Sequence, residues 1–109
     1  MVGGEIQVAV LESVLSKISP KLAERFECHT DTSSKYLNLT IKFEESVFRN
    51  ETSVSTDDIS NTIAERLLVS PRYTYSEGIK NDLYKKIKIE LVPGFSQGTL
   101  KFRKLWHKN

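Results

Sequence analysis

The chain is 109 residues long, with 39% hydrophobic, 28% charged and 9% aromatic residues, a composition that excludes a disordered, collagenous or membrane-embedded protein. A globular chain of this size buries about two-thirds of the surface it exposes when unfolded, enough for one core without metal or disulfide staples, so a single domain over 1–109 is expected. The formal net charge of +2 is the sum of two very unequal stretches.

The first element is a helix predicted over 5–18, because Leu11, Val14, Leu15, Ile18 and then Leu22 recur at offsets of three and four residues. Proline suits a first helical position and not a helix interior, so Ser19-Pro20 should end this helix and open a short second segment, capped by Ser19, through Phe26. Asp31-Thr32-Ser33-Ser34 is turn chemistry, and Leu37, Leu39, Ile41 and Phe43 then alternate with Asn38, Thr40 and Lys42. That alternation predicts a strand over 36–44, hairpinned to a shorter partner over 26–30. Ser- and Thr-rich residues 46–56 read as a loop tethered by Val47 and Phe48. Ser55-Thr56-Asp57-Asp58 starts a helix predicted over 57–69, with Ile59, Ile63 and Leu67 as its apolar stripe and Ser70-Pro71 as its stop.

Arg72-Tyr73-Thr74-Tyr75 reads as a short strand or an aromatic loop, closed by Glu77-Gly78. Ile79, Leu83 and Ile87 fit helical spacing, yet Leu83, Ile87, Ile89 and Leu91 also fit the inward positions of a strand with Lys86, Lys88 and Glu90 outward. The turn material Pro93–Gly98 and the renewed alternation over Thr99–Trp106 favour the strand, predicted over 84–92, and a long C-terminal hairpin. The whole is an α+β domain: an antiparallel sheet of two hairpins with two main helices packed on one face.

No catalytic set is expected. Cys28 and His29 are neighbours on an extended strand and point to opposite faces, while Glu44-Glu45 and Asp57-Asp58 are accounted for by a strand end and a helix start. Nucleotide-binding and hydrolase motifs are absent, as is the Gly-x-x-Gly loop of a KH-type RNA-binding domain. One cysteine and two histidines allow neither an internal disulfide nor a four-ligand zinc site, so no metal and no cofactor are expected. The lone thiol, the lack of a cationic leader before Glu5 and the lack of a long apolar run point to a cytoplasmic or nuclear protein, not secreted and with no transmembrane segment.

Charge is the feature that rises above this background. Residues 1–78 carry 8 Lys and Arg against 12 Asp and Glu, a formal −4, whereas residues 79–109 carry 8 against 2, a formal +6. In the expected C-terminal hairpin, Lys86, Lys88, Lys101, Arg103 and Lys104 neutralise phosphates, and Tyr84 or Trp106 stacks on an unpaired base. The expected function is that of a small non-enzymatic accessory protein contacting nucleic acid, or a nucleoprotein, with low sequence specificity. The alternative is a protein-binding adaptor or inhibitor that uses an exposed sheet edge or a charged face, including self-association as a homo-oligomer.

Overall fold

The computed structural model describes residues 7–31 and 36–94, together with the backbone of 105–108. Helix α1, Val8–Ile18, buries Leu11, Val14 and Leu15, the face that the heptad-like spacing marks. It ends at Ser19, whose extended backbone is what a following proline demands, and Pro20 opens α2, Pro20–Glu24. The Ser19 hydroxyl does not cap α2; it donates to Glu51 Oε1 instead, at 2.5 Å.

Strands β1, Glu27–Asp31, and β2, Asn38–Glu44, form the first expected hairpin, antiparallel from Glu27 opposite Lys42 to Asp31 opposite Asn38. Period-two alternation then sorts the two faces: Cys28, Thr30, Leu39, Ile41 and Phe43 are buried, while Glu27, His29, Thr40 and Lys42 remain half-buried on the other side.

Three local expectations are corrected downstream. The first part of the expected loop is a helix, α3, Glu45–Glu51, begun by an acid and held on the core by Phe48, whose ring meets Phe43 at 5.6 Å between centroids. The next helix, α4, spans Thr56–Arg66, with Ser55 accepting from the Asp58 amide at 3.1 Å as its cap. It is shorter than the apolar stripe suggests, because Leu68–Ser70 forms a strand, β3, paired antiparallel with β4, Tyr73–Thr74, across the Pro71-Arg72 turn. Thr74 then caps a further helix, α5, Tyr75–Lys80, in a reciprocal box with Glu77. The helix closes on Asp82 in the left-handed region (φ 62°), with the Asp82 and Leu83 amides bonded back to the carbonyls of Ile79 and Gly78.

Of the strand expected over 84–92 only the second part is a strand; an isolated bridge at Tyr84 and a link over 85–87 outside any strand precede it. Tyr84 bridges Leu37, and Lys88–Val92, strand β5, runs parallel to β2 from Thr40 opposite Lys88. Three steps from Leu37 to Thr40 thus face four from Tyr84 to Lys88, so the link over 85–87 carries one extra residue, a bulge in the sheet edge. Two side chains satisfy carbonyls within the bulge: the Tyr75 hydroxyl donates to the Lys85 carbonyl at 2.8 Å and the Ser60 hydroxyl to that of Ile87 at 2.6 Å.

The C-terminal hairpin is the main correction. Strand β6, Leu105–Lys108, pairs parallel with β1, from Cys28 beside Leu105 to Asp31 beside Lys108. The mixed sheet has the order β5-β2-β1-β6, so β5 and β6 lie at opposite edges and are not partners. The physical reason is that alternation fixes which face of a strand is buried but not which neighbour it takes. The α3–α5 stretch also supplies the long crossover that parallel β2–β5 pairing needs. Helices α3 and α4 pack against β2 and β5 on the buried face, giving a small α+β architecture with a mixed four-stranded sheet and a separate β3–β4 ribbon.

Candidate nucleic-acid interface

The run from the end of α5 into β5 carries Lys80, Lys85, Lys86 and Lys88, all exposed. The bulge produces part of this crowding: the extra residue leaves Lys85 and Lys86 outward in succession before Ile87 turns back into the core. Lys86 reaches Asp57 in the first turn of α4 at 3.0 Å, and Lys88 reaches Glu90 on its own strand at 3.3 Å. The Lys85 ammonium stands 4.1 Å from the centre of the half-buried Tyr36 ring, within cation–π range. Below these lysines lies an open depression of about 270 Å³ between the start of α4 and the bulge, lined by Thr56, Asp57, Ser60, Lys86, Ile87 and Lys88 among others.

Of the residues expected to make the interface, Lys86 and Lys88 share this edge. Tyr84 does not join them: its ring is 2% exposed, stacked on Tyr75 at 4.6 Å, and has no open face for a base. Burial, and then neighbouring Tyr73, raise its hydroxyl pKa. Lys101, Arg103 and Lys104 lie outside the described residues, and Trp106 is placed only by its backbone, in β6 beside His29. Strand β6 lies on the far edge of the sheet, so among the described residues Lys86 and Lys88 face no second basic strand. Sequence reasoning missed the acids that meet these lysines. Asp57 was legible only as a helix-start residue, and nothing local to it signals a partner 29 positions away.

The other titratable groups offer little chemistry. Cys28 faces the core, where burial pushes its thiol up to about 12, far from a reactive thiolate at neutral pH. His29 points to the opposite face and meets Glu27 at 3.0 Å. Glu44 accepts from Arg25 at 2.7 Å, and Glu45 pairs with Arg49 one helical turn on. Among the described residues, no three His, Cys, Asp or Glu side chains gather as a metal site requires, and no helix is long and apolar enough to cross a membrane. No family model, no curated protein and no solved structure matches the chain.

Proposed function

We propose that this is a non-enzymatic binding domain that contacts nucleic acid through the basic edge formed by the end of α5, the bulge and β5. The observation that carries this reading is the clustering of four exposed lysines, Lys80, Lys85, Lys86 and Lys88, within nine residues of chain. They open a segment of formal charge +6. The ion pairs to Asp57 and Glu90 do not oppose it strongly. Both are solvent-exposed, with the lysine side chains 53% and 68% accessible, and exposed pairs of this kind are worth about 0–1 kcal/mol, so a phosphate can replace either acid. Lys101, Arg103 and Lys104 supply further phosphate contacts. Tyr36, beside Lys85, takes the aromatic role first expected of Tyr84. Contacts of this type follow the backbone and carry little sequence information.

Charge reversal tests the reading. In K85E/K86E/K88E, and separately in K101E/R103E, affinity for labelled single-stranded RNA or DNA should fall by at least about tenfold at low salt, with an unchanged circular dichroism spectrum. Undiminished binding in both variants removes the proposal. A second reading is favoured by the mixture of signs on this edge, where Asp57 pairs with Lys86 and Glu90 with Lys88: a protein partner with a complementary mixed surface. That reading predicts no nucleic-acid affinity for the wild type.

A further inference from the structure

Leu68 is one of two large hydrophobic side chains left exposed among the described residues, at 43%. Its neighbours Leu67 and Val69 are buried, so strand alternation turns Leu68 outward. It borders an open groove of about 460 Å³ that runs beside α1, within the range of roughly 300–1,000 Å³ typical of ligand clefts. The α1 wall is made by Ala9, Val10, Ser13 and Val14. Ala9 and Ser13 are one helical turn apart and small enough to let another helix approach closely, while Val10 and Val14 form an apolar row beside them. The rim is cationic: Lys17 ends the α1 wall, Arg66 stands opposite just before Leu68, and no acid among the described residues lines the groove. Each cation sits in the last turn of its helix, where positive charge is favoured, and neither is ion-paired among the described residues.

We propose that this groove docks an acidic amphipathic helix of a partner protein. From Ala9 to Lys17 the wall extends for about 12 Å, which matches apolar anchors at i, i+3 or i+4, and i+7 on a docked helix. Charge complementarity selects the occupant: Leu or similar anchors enter between Val10, Val14 and Leu68, and flanking Asp or Glu residues meet Lys17 and Arg66. The surface is separate from the β5 lysines, so a domain that held nucleic acid on one surface would recruit an acidic protein segment on another.

The probe is a labelled synthetic helix of about 14 residues, with Leu at the anchor positions and Glu at the flanks, set against the same peptide with Lys for Glu. The acidic peptide should bind the wild-type protein saturably at micromolar concentration and the lysine peptide at least about tenfold more weakly. Leu68→Asp and, independently, K17E/R66E should each weaken the acidic peptide by about tenfold. Nucleic-acid affinity in both variants should stay unchanged, so failure here is distinct from failure of the β5 reading. K17E/R66E alters exposed side chains only, which keeps the test valid if Leu68→Asp folds poorly. Equal binding of the two peptides, no binding up to about 100 µM, or a wild-type dimer that Leu68→Asp converts to monomer overturns the proposal; the dimer would mean that a second copy fills the groove.

Discussion

Gly78 shows how one missing methyl group sets the packing. A Cβ at this position would lie 2.1 Å and 2.2 Å from ring atoms of Tyr84, and that ring is trapped against Tyr75. Alanine normally improves a helix interior by about 1 kcal/mol over glycine; here Gly78→Ala should instead destabilise the fold by about 1–3 kcal/mol, read from urea denaturation. Neither partner was legible in the sequence, since Gly78 looked like a loop closure and Tyr84 like a surface aromatic. Burial of Cys28, Tyr75 and Tyr84 raises the pKa of each. The sign follows from linkage: a group that ionises less readily when folded stabilises the fold fully below its unfolded pKa and loses that contribution as pH rises. For Cys28 the window runs from the ordinary 9.0 up to about 12, with a slope of about 1.4 kcal/mol per pH unit per group. Stability should therefore fall above about pH 9, and alkylation of Cys28 at neutral pH should require unfolding. Rapid alkylation of the native protein would contradict the buried thiol.

Among the elements, those with strong periodicity or a clear cap were the legible ones: α1, the β1–β2 hairpin and the start of α4 at Ser55. Helix α3 was hidden because the Ser- and Thr-rich stretch after Thr52 dominates the composition of its window, although Glu45 and Phe48 supply its start and its anchor. Helix α5 had a readable signal in Thr74 and Glu77, but its six residues are too few to show an apolar period. The bulge was invisible for a different reason, since it depends on two hydroxyls far away in sequence. Removing either donor leaves a strand carbonyl without its partner, so Tyr75→Phe should cost about 1–3 kcal/mol. Ser60→Ala should cost less, because alanine recovers part of the loss through helix propensity. Thermal denaturation of the two variants checks the order.

For the whole molecule, the mixed sheet rests on pairings between distant segments, which a local pattern does not specify. Amide-to-α-proton NOEs should connect β5 with β2, as Ile41 opposite Ile89 requires, and β6 with β1. NOEs joining residues 88–92 to 99–104 would restore the C-terminal hairpin and overturn the topology. The same long-range folding brings acidic Asp57 to the basic segment, so the charge asymmetry along the chain is softened in space while the lysines stay exposed. Whether those lysines serve a polyanion is the central claim, and salt dependence tests it most directly. Fluorescence anisotropy of labelled single- and double-stranded RNA and DNA, titrated with the wild-type protein at about 50 and 200 mM salt, reads the number of phosphates neutralised. Micromolar or tighter binding that weakens steeply between the two conditions, with little preference among sequences, is expected; no binding at the lower salt, or binding indifferent to salt, would contradict a polyanion-binding role.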